Sequence, residues 1–398
     1  MITKLDLHER VREWSLREDV VEKDYVLGWV LWGIGANPVL GKSWVFKGGT
    51  SLKKCYFETY RFSEDLDFTL LPGSPQSEAD LRPILGDILR EVADASGIDF
   101  SGRAPMIKNH SSGNYTEGRI YYTGPRRSPQ VASIKLDLSA SERVVRTPVR
   151  RLIAHPFPDS LPDPADVLCY APEEVFAEKI RAMGERSRPR DLYDIVNLFR
   201  RPEFTSAPRI IREALEDKCS TKGVPFPALE AISNSEARLE LESEWENMLG
   251  HQLPALPPLE SFWSQLKALF DWLMEVSVEP ALARASWQTE DSGTHWTAPP
   301  SVASWGFGVP LERVRFAGAN RLCIIVGYQG SIRTVEPYSL RRTQDGNLLL
   351  HAVRSDNGEH RAYRVDRIQS IEITNHPFKP RYIVEFSTSG PLSALAGS

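Results

Sequence analysis

The run Glu64-Asp65-Leu66-Asp67-Phe68-Thr69-Leu70-Leu71 alternates charged and apolar residues, and that alternation constrains this chain more than any other feature. In a strand, residues i and i+2 leave the same face, so Asp65 and Asp67 project together while Leu66 and Phe68 enter a core. Two adjacent carboxylates repel, and the pair is unfavourable unless it is solvated at an exposed edge or bridged by a cation. Upstream, Trp44-Val45-Phe46-Lys47 reads as a short strand, Gly48-Gly49 as a turn, and the segment from Thr50 as the opening of a helix capped by Thr50 or Ser51. Glycines let a backbone approach a ligand closely, and a helix start offers free amides to phosphate. Hard carboxylate oxygens suit Mg²⁺, which takes one or two carboxylates and leaves its other positions to water and substrate phosphates. A bare D-x-D also fits a solvated strand face and recurs by chance. Joined to the glycine turn, it points to metal-plus-phosphate chemistry, and so to nucleotidyl transfer.

The surrounding patterns describe an α+β domain over residues 1–165. Apolar residues from Val20 to Leu31 recur at helical spacing, with Glu22, Lys23 and Asp24 expected on the polar face. Residues 78–96 predict a second helix, and the segments around Gly118–Gly124 and Val131–Ala140 an antiparallel pair of strands. Residues 166–285 read as helical: Pro172 precedes two acids at a helix start, and Pro189 opens another helix. Residues 286–308, rich in Ser, Thr, Gly and Pro and without periodicity, are expected to form a linker. Residues 309–398 carry short strands at close spacing, with turn signals at Asp345-Gly346 and Asp356-Asn357-Gly358, which predicts a small all-β barrel.

Several classes are excluded by composition. The 398-residue chain is 41% hydrophobic and 25% charged, in the range of ordinary soluble proteins. No apolar run approaches the roughly 20 residues of a membrane span, and the charged N-terminal segment lacks a secretory pattern, so no membrane partner and a cytoplasmic location are expected. Cys55, Cys169, Cys219 and Cys323 are too widely spaced for a metal knuckle and too few for a disulfide framework, so they are expected to be free. A net charge of −5 leaves nucleic-acid binding to local basic patches. Such patches lie around Arg126 and Arg127, beside Tyr121 and Tyr122, and around Arg186 and Arg190; they suit a phosphodiester chain or, equally, a solvated surface.

Five motifs in order, Glu22–Trp29 (EKDYVLGW), Phe46–Lys54 (FKGGTSLKK), Arg61–Phe68 (RFSEDLDF), Ile134–Ser139 (IKLDLS) and Ala177–Ile195 (AEKIRAMGERSRPRDLYDI), resemble the AbiEii/AbiGii-type nucleotidyltransferase toxins of the DNA polymerase β-like superfamily. The resemblance implies a polymerase β-like nucleotidyltransferase core with a helical second half. It also implies an enzyme that uses Mg²⁺, or Mn²⁺, and an NTP substrate. On matching positions it places Gly48, Gly49 and Thr50 at the triphosphate, and Asp65, Asp67 and a third carboxylate, Asp137, at the metals. Lys179 is implied as a triphosphate ligand. Asp194 is implied as an orienting or acid–base partner, with Asp191 its rival. Arg61 and Ser63 are implied near phosphate oxygens, although either fits a structural role. The acceptor implied is RNA, including the tRNA 3′ end for some members, or a protein, and a cognate antitoxin is an implied partner in toxin–antitoxin or phage defence.

Residues 327–374 resemble the WYL domain of bacterial regulators, an SH3/Sm-like barrel, although Leu348, Leu349 and Leu350 stand where its Trp-Tyr-Leu would be. Arg333, Arg361, Arg364 and Arg367 either form a cationic face for nucleic acid or nucleotide, or pair with local acids. A catalytically inactive, nucleotide- or nucleic-acid-binding regulator working through this domain is therefore an alternative to the enzyme.

Overall fold

Seven strands form the sheet that carries the carboxylate pair, in the spatial order β3-β4-β5-β2-β1-β7-β6. They are β1 (Trp44–Lys47), β2 (Asp65–Leu70), β3 (Met106–Asn109), β4 (Tyr115–Tyr122), β5 (Ala132–Ser139), β6 (Val149–Leu152) and β7 (Asp166–Cys169). The structure, a computed structural model, describes residues 1–57, 60–110, 113–201, 208–276, 282–290, 311–343, 345 and 347–386. β2 lies at the centre, antiparallel to β1 and parallel to β5, and β4 and β5 form the expected antiparallel pair. Leu66 and Phe68 enter the core while Asp65 and Asp67 face the other side, as the alternation requires.

Helices cover the sheet: α1 (Lys4–Trp14), α2 (Glu18–Ala36), α3 (Leu40–Ser43), α4 (Gly48–Ser51) and α5 (Glu78–Ser96). The helix expected around Val20–Leu31 is α2, but it is buried on nearly every side, so its acids do not form a solvated face. Glu22 accepts the Arg126 amide hydrogen at 2.7 Å, Lys23 pairs with Glu64 at 2.6 Å, and Asp24 pairs with Lys54 at 2.7 Å. Tyr25 donates to Asp159 at 2.6 Å. The expectation of a polar face fails because each of these groups meets a partner from another segment, which removes the penalty for leaving water.

The helical half contains α6 (Pro172–Arg186), α7 (Pro189–Phe199) and α8 (Pro208–Lys222), with further helices at Ser235–Leu249 and Leu266–Leu273. Pro172 and Pro189 both occupy the first helical turn, where a missing amide hydrogen breaks no helical bond. Glu174, fully buried at the start of α6, accepts the amide hydrogens of Val145 (3.0 Å) and Arg146 (2.9 Å) and pairs with Lys218 of α8 at 2.6 Å. Those bonds tie the segment after β5 to the helical half.

Beyond helix Leu311–Ala319, a separate antiparallel sheet runs in the order β11-β10-β9-β8-β12. Its strands are β8 (Leu322–Tyr328), β9 (Ser331–Arg342), β10 (Leu348–Arg354), β11 (His360–Arg364) and β12 (Ile368–Pro377), and register shifts in β10 and β12 bend it. The expected linker is not structureless where it begins. Ser286–Glu290 is a short helix, and Trp287 stacks on His360 with ring centres 4.2 Å apart, because an aromatic ring gains from covering the β10–β11 surface. Residues 291–308 of that linker, and Gly346 of one expected turn, lie outside the described residues. Helix Leu311–Ala319 also touches the first domain, where Arg313 donates to the Arg12 carbonyl at 3.0 Å. All four cysteines are free, and no described helix is long and apolar enough to cross a membrane.

Candidate active site

A cleft of about 410 Å³ opens above β1, β2 and β5 and is closed on its other side by α6 and the start of α7. Register sets its floor: Lys47 lies opposite Asp67 on β1 and β2, Asp67 opposite Asp137 on β2 and β5, and Asp65 opposite Lys135. The glycine turn follows β1 directly. Gly48 has φ +81°, and a Cβ there would stand 2.3 Å from the Asp67 Oδ2 atom; a Cβ at Gly49 would stand 2.4 Å from an Arg61 nitrogen. Both glycines are thus required by close approach, and Gly48 by its backbone as well.

The expected cap at Thr50 or Ser51 does not form. The helix begins at Gly48 behind Lys47, without a side-chain cap, because the Thr50 hydroxyl donates to the Asp65 carbonyl and Ser51 to the Gly48 carbonyl at 2.9 Å. Thr50 is buried and pins the turn to β2 instead of lining the cleft.

Among the described residues, the carboxylates of Asp65 and Asp67 make no hydrogen bond or ion pair, although the Asp65 backbone carbonyl accepts from Thr50. Burial pushes the Asp67 carboxyl up to about 6; the nearby Asp137 and Asp65 charges add to this and Lys47 opposes it. Asp65 is raised by burial and by Asp137. Asp137 itself is held by Lys135 at 2.8 Å and by the Tyr115 hydroxyl. No group of three or more His, Cys, Asp or Glu side chains is gathered at metal-ligand spacing among the described residues. The donor set that fits a divalent cation is therefore the Asp65–Asp67 pair, all-oxygen and unneutralised, with Asp137 reaching it only after leaving Lys135.

The opposite wall is an ion network. Lys179 of α6 pairs with Asp194 at 2.6 Å and lies 3.7 Å from Asp191, while Arg186 pairs with Asp191 at 2.8 Å. Asp194 is fully buried and lies outside the cleft lining. Burial favours its neutral form, yet Arg61 and Lys179 outweigh that and hold it well below the usual carboxylate range. It is therefore a permanent anion that orients its neighbours, and the acid–base role does not suit it. Arg61 lines the cleft, and its guanidinium is engaged by Asp194 and by Gln252 (3.1 Å), the structural role that its place in the sequence also allowed. Lys179, whose side chain is 10% exposed, is a buried partner rather than a solvated surface lysine. Ser63 and Arg190 line the cleft.

Lys47, Glu142, Glu178, Arg181 and Lys222 also line it and were not singled out from sequence. Lys47 pairs with Glu142, and Arg181 with Glu178 and Glu185. Glu178 is held down to about 2: burial opposes ionisation, but Lys47, Arg181 and Lys218 overcome it. Lys47 and Glu178 each adjoin a motif residue in sequence, which is the one signal that pointed to them.

The other arginines are not gathered here. Arg126 lies against Glu18 and Glu22 of α2, and Arg127 is exposed. In the second sheet, Arg361 pairs with Glu359 and Arg364 with Asp366, each at 2.7 Å. Arg333 donates to the neighbouring Ile332 carbonyl, and Arg367 is exposed. Local pairing with acids is thus the outcome for Arg361 and Arg364.

A family model described as the nucleotidyl transferase AbiEii toxin of a type IV toxin–antitoxin system matches residues 29–276, and a WYL domain model matches residues 311–373. Among solved structures the chain is similar to MenT4, a nucleotidyltransferase toxin of Mycobacterium tuberculosis. That match has 20% identity and a TM-score of 0.47, covering 70% of this chain and 91% of that one. No curated protein matches the sequence.

Proposed function

Because the chain belongs to the AbiEii family of nucleotidyltransferase toxins, we propose that its cleft moves a nucleoside monophosphate from an NTP to an RNA acceptor, such as a tRNA 3′ end. The observation that carries this reading is the meeting of two unneutralised carboxylates, Asp65 and Asp67, with the Gly48-Gly49 turn in one cleft.

Asp65 and Asp67 would hold Mg²⁺ or Mn²⁺, which when bound neutralises phosphate charge and stabilises the leaving pyrophosphate. The chain's own residues bind and orient. Gly48 and Gly49 let the backbone pack against Asp67 and Arg61, which sets the start of α4 at the edge of the cleft where a phosphate would lie. Lys179, aimed by Asp194, supplies a fixed positive charge. Asp194 is aimed in turn by Arg61 and by the Tyr60 hydroxyl at 2.9 Å. Asp137, across from Asp67, is the carboxylate best set to accept the proton of an attacking hydroxyl. Arg186 and Arg190 at the rim suit the phosphates of an acceptor strand.

Such a toxin implies a cognate antitoxin, a role in toxin–antitoxin or phage defence, and work in the cytoplasm, where NTP and RNA are supplied. Incubating the purified protein with each labelled NTP, Mg²⁺ and total RNA tests the reading. Label should pass to RNA with at least one NTP and be lost in Asp65→Asn; no transfer with any NTP overturns it.

A further inference from the structure

Lys47 is the cation of the cleft with the most replaceable partner. The other buried cations there are held by groups that helices or buried packing fix in place: Arg61 by Asp194 of α7 and by Gln252, Arg181 by two glutamates of its own helix, Lys179 by Asp194. Lys47 instead pairs with Glu142, which lies in the irregular segment between β5 and β6. A side chain on such a segment can turn away without moving a helix or a strand, whereas Asp194 is set by α7 and Glu178, whose charge also acts on Lys47 and stays when Glu142 turns away, is set by α6. Lys47 is also the last residue of β1, so it immediately precedes the Gly48-Gly49 turn and faces Asp67 across the strand pair.

Glu142 has a second place to go. It lines the cleft and also an adjoining groove of about 650 Å³ formed by Leu70–Ser74 and Ala140–Val144. Its carboxylate is already within 3.3 Å of the Thr69 hydroxyl and 3.8 Å of Lys222, so those groups remain beside it when Lys47 leaves. A triphosphate at the glycine turn would bring several negative charges to the one end of the cleft where Lys47 stands. It would outcompete a single carboxylate for that ammonium.

We propose that Lys47 is a triphosphate-binding residue held in reserve by Glu142, and that nucleotide binding requires the exchange of Glu142 for phosphate. The Glu142 carboxylate is thus a built-in competitor of the nucleotide, and its removal strengthens binding. This rests on the nucleotidyltransferase reading of the cleft.

The test is equilibrium binding, by calorimetry with Mg²⁺, of each of the four α,β-methylene ribonucleoside triphosphates to the full chain. At least one should bind the wild type. For that analogue Lys47→Ala should weaken binding by about tenfold to a hundredfold, the range for one charge-assisted hydrogen bond. Glu142→Gln should tighten it severalfold, and the double variant should behave like Lys47→Ala, with no gain from the second change. The corresponding nucleoside should respond to neither substitution. If Lys47→Ala does not fold, Lys47→Met and Glu142→Gln decide the matter by the same signs. Binding to the wild type with Glu142→Gln unchanged or weaker overturns the exchange alone. Absence of binding by all four analogues overturns the nucleotide reading as well.

Discussion

Arg61 and Asp194 form a two-point ion pair in the interior, Nε to Oδ1 at 2.7 Å and Nη2 to Oδ2 at 2.8 Å, with side chains 3% and 0% exposed. The pair joins the segment just before β2 to α7, and Lys179 completes it from α6. Removing one partner of a buried pair leaves the other charge in a medium that cannot solvate it. Asp194→Ala strands two cations and should cost about 3–5 kcal/mol. Lys179→Ala leaves Asp194 its bond to Arg61 and should cost less. Urea denaturation of both variants checks the order; equal, small losses would contradict it.

Asp67 makes stability depend on pH in a direction opposite to that of an ion-paired acid. Its folded-state pKa is near 6, above the usual carboxylate value, so between those values the folded protein keeps a proton that the unfolded chain has released. Stability therefore falls as pH rises through the window from about 4 to 6 and is not changed further by this group above it. Asp67→Asn should be more stable than wild type at pH 7, by about 1–2 kcal/mol, while losing transfer activity. Thermal melts across pH 4–8 give the comparison, and a variant less stable at pH 7 would refute the assignment.

Two glycines with nearly the same backbone separate strain from collision. Gly48 has φ +81° and its missing Cβ would meet Asp67; Gly73 has φ +82° and open space. Gly73→Ala should cost about 1 kcal/mol, the backbone penalty alone. Gly48→Ala should cost clearly more and should displace Asp67, weakening metal and nucleotide binding together. Melting temperatures with calorimetric Mg²⁺ titration distinguish the two.

Trp287 makes residues 282–290 part of the C-terminal unit. Gln288 donates to the Ile383 carbonyl at 2.7 Å, Ile383 donates its amide hydrogen to the Ala283 carbonyl at 3.2 Å, and Trp287 covers His351 and His360. A C-terminal fragment starting at residue 282 should therefore melt higher than one starting at 302, and Trp287→Ala should remove about 2 kcal/mol, less than for a fully buried Trp. Equal melting of the two fragments would show that the segment does not stabilise the unit.

The alternation of Asp65 and Asp67 with Leu66 and Phe68 and the prolines that open α6 and α7 were sufficient, read along the chain, to predict the strand, those two helix starts and the carboxylate pair, whereas the two glycines marked the break after β1 without showing that the helix begins at Gly48 itself. All of these depend on geometry within a few residues, where the strand period of two and the glycine and proline backbone limits operate. The partners of the charges were beyond such reading. Arg61 meets Asp194 across 133 positions and Lys47 meets Glu142 across 95. Whether an arginine faces phosphate or a buried aspartate depends on how α6 and α7 close over the sheet. The same holds for Glu22 and Asp24, whose helical spacing predicted a water-facing side, and for the hydroxyl of Tyr25 on the apolar side of that helix. Only the tertiary structure brought Arg126, Lys54 and Asp159 to them, because a buried charge is stabilised by whichever opposite group the packing delivers, at any distance in sequence.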